Sequence, residues 1–164
     1  MTYYARIPAS LGPLLAVADD DGLTGLHFED GRYVPAIASD WIESPDHPVL
    51  ARCAAQVAAY LEGRAGTFDL PLAPRGTPFQ QRVWRAIAGV PFGDTVSYAE
   101  LARRAGSSGA VRAVGAATGR NPISIIVPCH RIVGTGGALT GYAGGLPRKA
   151  SLLALETAAR DRLR

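Results

Sequence analysis

The segment Asn121-Pro-Ile-Ser-Ile-Ile-Val-Pro-Cys-His-Arg131 places an apolar run directly before a cysteine. Its β-branched residues predict a buried, extended stretch, and Pro128 predicts a sharp change of direction just ahead of Cys129. A free thiol is mostly protonated at neutral pH, so a reactive cysteine needs a base or a cation close by. Adjacent residues do not face each other on a helix, so we expect His130 to act on Cys129 across an irregular turn or through a water. Taken alone, a cysteine beside a histidine is more often a packed thiol than a nucleophile.

Three helices are predicted upstream of this segment. The sequence Thr77-Pro-Phe-Gln80 is typical of a helix start, with Thr as N-cap and Pro in the first turn. Ser97-Tyr-Ala-Glu100 has the pattern of a second capping box, for a helix that stops at Gly106. After the link 107–109 another helix is predicted over 110–118. The last two helices match the helix-turn-helix pattern, although other pairs of packed helices share it.

The helix predicted over 110–118 consists almost entirely of small residues, and Arg112 is its one long side chain. Small residues favour either tight packing inside the protein or close approach to DNA. A helix with ordinary side chains is about 10–12 Å across, which is wider than the ~6 Å minor groove. From the helix-turn-helix pattern alone we therefore expect docking in the major groove.

The first half of the chain predicts a small antiparallel sheet followed by one helix. Strand-length runs bounded by turn residues lie at 2–7, 13–18 and 23–28. Over 47–61 the apolar residues have helical spacing, which places Cys53 on the core face as a structural thiol. A polar, proline-bearing link follows at 71–76. The predicted fold class is α/β (α+β), with a small antiparallel-sheet domain at 1–74 and a helical domain containing the helix-turn-helix at 75–164.

The net charge of the chain changes sign at the same link. Residues 1–74 carry four arginines against ten acidic residues, a net charge of −6, whereas residues 75–164 carry thirteen Arg or Lys against four acidic residues, a net charge of +9. Such a basic half either binds a polyanion or is a solvated face. The excess is nearly all arginine, which suits phosphate recognition.

Length and composition limit the class of protein. At 164 residues and 48% hydrophobic content the chain can bury a core. It has no apolar run near the ~18–20 residues that span a bilayer and no signal-peptide pattern, so we expect a soluble, cytoplasmic protein that binds no membrane. In that compartment we expect no disulfide between Cys53 and Cys129, and the histidines are not spaced as zinc ligands.

Six short motifs occur in order across the second half, at 79–84, 96–98, 112–115, 121–122, 128–131 and 141–145. With them, residues 76–156 resemble the O6-alkylguanine-DNA alkyltransferases, also called methylated-DNA–protein-cysteine methyltransferases. The resemblance implies direct-reversal DNA repair, with stoichiometric, irreversible transfer of the alkyl group from O6-alkylguanine in double-stranded DNA to Cys129. It implies base flipping, docking of the small-residue helix in the minor groove, no cofactor and no metal. It leaves open whether O4-alkylthymine is a substrate and whether binding along DNA is cooperative, and we expect a monomer.

The resemblance assigns the catalytic set. Cys129 is the nucleophile and permanent acceptor, and His130 takes the thiol proton through a water. Glu156 orients His130, although a carboxylate after the apolar helical run 151–155 would ordinarily lie at the surface. Asn121 ties the reactive turn to the end of the recognition helix, or serves as a helix C-cap.

The resemblance also assigns the DNA and substrate contacts. Arg112 enters the base stack in place of the flipped nucleotide, and Tyr98 presses on the backbone phosphate and contacts the guanine. Tyr142 forms a wall of the base pocket. Lys149 neutralises charge on the departing guanine or is simply solvated. Arg131 belongs to the same DNA- and substrate-binding set.

Three other functions compete with this one. A non-catalytic alkyltransferase-like protein would bind the lesion without reacting, but such proteins lack the cysteine. A helix-turn-helix regulator with a buried Cys129 leaves the motifs at 128–131 and 141–145 unexplained. A thiol hydrolase would need an oxyanion-hole motif, which is not evident, and the other histidines lie in the acidic half. That acidic half shows no site, and we expect its role to be structural.

Overall fold

The structure, a computed structural model, describes residues 1–163. Its first half holds strands β1 (Tyr3–Ile7), β2 (Leu14–Ala18), β3 (Leu23–Phe28) and β4 (Ile42–Glu43) and helix α1 (Pro48–Leu61). Its second half holds α2 (Pro78–Ala88), β5 (Val96–Ser97), α3 (Tyr98–Arg104), α4 (Val111–Gly119), β6 (Ile132–Val133) and α5 (Leu146–Leu163). Short 3₁₀ turns lie at Cys129–Arg131 and Thr135–Gly137. The predicted fold class, a small sheet followed by a helical half, is confirmed.

The sheet of the first half has the strand order β3-β2-β1-β4. β1, β2 and β3 pair antiparallel as predicted, and every residue of β2 is buried between its two neighbours. The sequence pattern does not predict β4, which pairs parallel with β1 through Tyr3 and Ile42. Both residues of β4 are exposed, so it lacks the alternation that identifies a strand.

Helix α1 packs on the sheet through one buried stripe. Leu50, Cys53, Val57 and Tyr60 are buried along it, as the helical spacing predicts. Burial raises the pKa of the Cys53 thiol to about 12, so this cysteine stays protonated and unreactive at neutral pH. Its surroundings therefore fit the structural role expected of it.

The two predicted helix starts differ in the structure. Thr77 and Gln80 form both hydrogen bonds of a capping box, which begins α2 as predicted. Ser97 accepts from the Glu100 amide, but the Glu100 carboxylate turns to Arg103 and Arg104 instead of returning to the cap. The prediction of a full second capping box is therefore wrong, because charged partners one turn along the helix compete for that carboxylate.

Helices α3 and α4 pack on each other and on α2 in the helix-turn-helix arrangement. The indole Nε1 of Trp84 in α2 donates to the Ala117 carbonyl of α4 at 2.9 Å. Helix α4 begins and ends one residue later than predicted. The buried hydrogen bond from Trp84 therefore fixes the position of α4 against α2.

The segment before Cys129 is buried but is not the extended stretch that its composition predicts. It consists largely of turns, in which the Val127 amide donates to the Ile123 carbonyl at 3.0 Å. Ile125 has a φ of +71°, a left-handed conformation that is rare for a β-branched residue. Burial of the apolar side chains inside the protein outweighs their preference for extended backbone here.

Backbone hydrogen bonds join the two halves. The Leu26 amide donates to the Pro122 carbonyl, and the Ser124 amide donates to the Leu26 carbonyl, each at 2.9 Å. Residues around Leu72 in the predicted link pair with Leu23 of β3. One hydrophobic core includes side chains from both halves, and the division into domains at 1–74 and 75–164 stays a prediction. Within residues 1–163, no helix is long and apolar enough to cross a membrane.

These shared contacts predict that the two halves unfold together. The chain has two tryptophans, Trp41 in the first half and Trp84 in the second. In each single-tryptophan variant, Trp41→Phe and Trp84→Phe, we expect the fluorescence and far-UV circular dichroism transitions in urea to coincide, as in a two-state transition. Separate midpoints for the two tryptophans would show that the halves unfold independently.

Candidate active site

Cys129 begins a 3₁₀ turn at the floor of a cavity of about 440 Å³. The side chain is 5% exposed. Tyr98, Tyr142 and the end of α4 line the same cavity. A volume of this size is within the usual range for a small-molecule site, so a single nucleobase is a suitable occupant.

Asn121 holds the turns before Cys129 in place. Its Nδ2 donates to the Val127 carbonyl at 2.8 Å, and its Oδ1 accepts from the Ile123 amide at 3.0 Å. Because α4 ends at Gly119, Asn121 joins the end of that helix to the reactive turn. This is the geometry that the predicted hinge role requires.

The surroundings of Cys129 keep its thiol protonated at rest. Burial raises the pKa of Cys129, while the hydrogen bond of Asn121 and the positive charge of Lys149 act in the opposite direction and only partly offset it. A thiol with a raised pKa would need a base in order to act as a nucleophile.

His130 is fully buried and is oriented by a carboxylate. Its Nε2 lies 2.7 Å from Oε2 of Glu156. An ionised carboxylate only accepts hydrogen bonds, so Nε2 carries a proton, and in the neutral ring Nδ1 then carries none. Burial lowers the pKa of His130, although the hydrogen bond to Glu156 raises it in part. Nδ1 has no hydrogen-bond partner within residues 1–163, which leaves it available as a proton acceptor.

Glu156 is not at the surface, as its place after an apolar helical run suggested. Helix α5 continues to Leu163, and its inner face carries Glu156, 1% exposed, into the protein. Besides His130, its carboxylate accepts hydrogen bonds from the Tyr60 hydroxyl (2.5 Å), the Arg131 guanidinium (2.8 and 2.9 Å) and the Gly93 amide (3.2 Å). Burial alone would raise the pKa of Glu156, but these partners lower it to about 2.

Arg131 is a correction to the predicted DNA-binding set. Its side chain points inward and is about as buried as the thiol, with Nε and Nη2 on Glu156 and Nη1 on the Val90 carbonyl at 2.7 Å. A guanidinium with these partners is not available to phosphate or base. Arg131 instead supplies the buried positive charge that keeps Glu156 ionised.

Tyr60 is the residue of this network that the sequence analysis missed. It lies in α1, in the half for which only a structural role was expected. Its hydroxyl donates to Oε2 of Glu156 and lies 3.4 Å from Nε2 of His130. The available signal was a tyrosine on the buried face of α1, because a buried phenol requires a polar partner.

Lys149 is completely buried, which excludes the solvated alternative. Its Nζ donates to the carbonyls of Ile132 (2.5 Å) and Gly141 (2.9 Å) and lies 5.9 Å from the ring centroid of Tyr98. Burial lowers the pKa of Lys149, while the nearby Cys129 raises it. Lys149 thus holds two backbone segments together and directs a positive charge toward the thiol.

The two predicted aromatic residues both face the cavity. Tyr98 is the first residue of α3 and is half-buried. The ring of Tyr142 meets that of His130 edge-on at 6.5 Å between centroids. The Tyr142 hydroxyl is buried, and burial raises the pKa of Tyr142, so this phenol stays neutral beside the thiol.

Arg112 lies away from these buried groups, on the exposed face of α4. Val111, Ala113 and Ala116 are exposed beside it, whereas Val114 and Ala117 face the core. The exposed face of α4 is consequently smooth apart from one long, charged side chain. This placement leaves both predicted roles of α4, close approach to DNA and insertion of Arg112, sterically open.

Comparison with known proteins gives one consistent result. Family models described as the 6-O-methylguanine DNA methyltransferase ribonuclease-like domain and DNA binding domain match residues 2–74 and 78–158. The methylated-DNA–protein-cysteine methyltransferase of Mycolicibacterium paratuberculosis is 46% identical over 95% of this chain and 93% of that protein. That of Methanosarcina acetivorans is 44% identical over 94% and 97%. The crystal structure of Mycobacterium tuberculosis OGT in complex with DNA matches with a TM-score of 0.87 at 43% identity, covering 96% of this chain and 94% of that one.

The buried network predicts a specific loss of stability in acid. Hydrogen bonds from His130, Arg131 and Tyr60 lower the pKa of Glu156 from 4.5 to about 2 in the folded protein, so its contribution to stability is complete above about pH 4.5 and is lost as the pH falls toward 2. That contribution is roughly 3 kcal/mol by linkage. We expect Glu156→Gln to show a smaller decrease in the free energy of unfolding across this pH range than the wild type, measured by urea titration.

Glu43→Gln serves as the matched control, because Glu43 is exposed in β4. Its acid dependence should equal that of the wild type. An acid dependence of Glu156→Gln equal to that of the wild type would show that Glu156 has no depressed pKa in the folded protein.

Proposed function

Because the chain belongs to the 6-O-methylguanine DNA methyltransferase family, we propose that it repairs double-stranded DNA by taking the alkyl group of O6-alkylguanine onto its own Cys129. The observation that carries this proposal is the pairing of a buried thiol with a histidine whose Nδ1 is unprotonated and unpartnered among the described residues. Family membership supplies the reaction type, transfer from methylated DNA to a protein cysteine. The residue roles below are part of the proposal.

The reaction needs one substitution and two proton transfers, one from the thiol and one to the departing guanine. His130 accepts the thiol proton at Nδ1 through a bridging water, and the Cys129 thiolate attacks the alkyl carbon. A carbon–sulfur bond forms as the carbon–oxygen bond breaks, and its electron pair stays on the guanine. The guanine then takes up a proton, which the protonated His130 can return. The buried charge of Lys149 favours both anions, the attacking thiolate and the departing guanine.

The product explains why the protein acts once. A thioether on Cys129 has no leaving group that this site can displace, so each chain repairs one base. The alkyl group comes from DNA, and the scheme requires no cofactor. The same scheme applies in principle to O4-alkylthymine, whose alkyl group is also bound to an exocyclic oxygen.

A base inside a duplex cannot reach a buried thiol, so the nucleotide must be flipped out of the stack. The exposed small-residue face of α4 suits close approach along the minor groove, and Arg112 projects from it to fill the gap. Tyr98, at the cavity wall, is placed to contact the extruded nucleotide. The basic second half supports binding to the phosphate backbone. A monomeric state and a cytoplasmic location remain predictions.

The alkyltransferase-like alternative requires binding without reaction, and the regulator alternative requires no preference for damaged DNA. Two measurements separate the transferase from these two alternatives. One is the intact mass after incubation with excess duplex containing one O6-methylguanine, and the other is the affinity for that duplex and for the undamaged one. We expect a net mass gain of one CH2 per chain, because a methyl group replaces the thiol hydrogen; it should map to Cys129 and be absent in Cys129→Ser. Tight binding without a mass change would contradict the transfer, and equal binding to undamaged DNA would favour the regulator.

The transfer rate should depend on the protonation of His130. Its pKa is lowered from 6.5 by burial, and only the neutral form accepts the thiol proton. We expect the single-turnover rate at saturating duplex to stay constant down to pH 6.5 and to fall only in more acidic solution. A decrease centred at or above pH 6.5 would indicate that His130 is not buried in the reacting complex or is not the base.

Arg112→Ala tests base flipping separately from DNA affinity. Leaving the gap unfilled costs part of a stacking energy of a few kcal/mol, so we expect the transfer rate at saturating duplex to fall on the order of 10- to 100-fold. Arg85→Ala is the matched control, because Arg85 is an exposed arginine of the same half that lies on α2 and not on α4. It should retain the wild-type rate at saturation. Equal rates for both variants would exclude Arg112 as the inserted side chain.

A further inference from the structure

The loop that follows β3 in the first half forms part of the Cys129 cavity. Arg32 and Tyr33 line this cavity together with Tyr98, Tyr142 and Cys129 from the second half. The first half is therefore not remote from the reaction. None of the sequence motifs that define the site includes these loop residues.

The backbone of this loop is fixed to the opposite wall. The Arg32 amide donates to the Ala143 carbonyl at 2.9 Å. A Cβ at Gly31 would lie 2.8 Å from the same carbonyl oxygen, so glycine is needed for this close approach. Arg148 holds the start of the loop through an ion pair with Asp30 at 2.6 Å. The loop backbone is consequently a rigid support for the side chains at its tip.

Tyr33 is held in an unusual conformation at that tip. Its φ is +59°, in the left-handed region that bulky residues rarely adopt. The guanidinium of Arg120, from the end of α4, lies over its ring at 3.8 Å from the centroid. Tyr33 remains 51% exposed. A cation–π contact at an exposed site is weak, so the two side chains can separate while the backbone stays fixed.

The rest of the cavity cannot widen in the same way. Its floor is the buried turn of Cys129, which Asn121 holds, and Lys149 ties the wall at Gly141 through buried hydrogen bonds. Among the walls described, the side of Tyr33 and Arg120 is therefore the one that can yield extra volume for a large alkyl group.

We propose that the stacked pair Tyr33–Arg120 is a gate over the Cys129 cavity that favours small alkyl adducts over bulky ones. A methylated guanine fits in the cavity while Tyr33 and Arg120 stay stacked. A bulky adduct holds the two side chains apart, so that the contact between them is lost. Tyr33 and Arg120 are then specificity-determining residues, one from each half of the chain. The inference rests on the proposed function, because it concerns the substrates of the same thiol.

The test compares two duplexes that differ only in the adduct, O6-methylguanine and O6-benzylguanine. Single-turnover rates are measured from the mass gain on Cys129, and the benzyl-to-methyl rate ratio is the readout. Overall changes in DNA affinity cancel in this ratio, because both duplexes present the same backbone. Tyr33→Gly removes the ring and tolerates the positive φ. Tyr33→Phe is the matched control, because it keeps a ring for Arg120 to cover.

We expect the ratio to rise about two- to fivefold in Tyr33→Gly, the size of the exposed cation–π contact that a bulky adduct would otherwise break. It should stay close to the wild-type value in Tyr33→Phe. Arg120→Ala should raise the benzyl-to-methyl ratio as well. If Tyr33→Gly does not fold, Arg120→Ala replaces it, and an unchanged ratio in Arg120→Ala then overturns the gate. An unchanged ratio in Tyr33→Gly, or an equal rise in Tyr33→Phe, overturns the gate. Absence of any transfer by the wild type would instead refute the proposed function, and the gate with it.

Discussion

The fold and the proposed chemistry depend on one buried carboxylate. Glu156 lies in the interior, where a charge without partners would be neutralised. It stays ionised because α1 supplies Tyr60, the reactive turn supplies His130 and Arg131, and the segment after α2 supplies the Gly93 amide. These partners come together only when both halves have folded. Folding of the whole chain therefore assembles the histidine that we propose as the base for the thiol.

The same carboxylate explains the electrostatics around Cys129. Glu156 accepts a hydrogen bond from Nε2 of His130. Nδ1, on the other side of the ring, is left without a partner among the described residues. Because burial keeps both His130 neutral and the thiol protonated, the site is at rest until a substrate arrives. The cavity is lined by the turn of Cys129 on one side and by Tyr33 and Arg120 on another.

Features that depend on neighbouring residues in the chain were predictable from the sequence. The Thr77 cap, the buried stripe of α1 and the three antiparallel strands follow from local pattern. Features that depend on distant partners were not. The outward role expected for Arg131 was wrong because its nearest anion, Glu156, is contributed by a helix that is remote in sequence.

The sequence did not predict the left-handed conformation of Ile125 or the contact of Tyr60 with Glu156. Both depend on long-range packing and not on local preference. Tyr33 was missed because its partner, Arg120, comes from the other half.

We propose that Glu156 holds the His130 imidazole as a neutral base for Cys129, and determining the tautomer of His130 tests this most directly. Nitrogen NMR of histidine-labelled protein at pH 7, with the His130 signals assigned through His130→Gln, distinguishes the three protonation states. We expect a neutral ring with the proton on Nε2 and a bare Nδ1. A proton on Nδ1, or a fully protonated imidazolium, would contradict it.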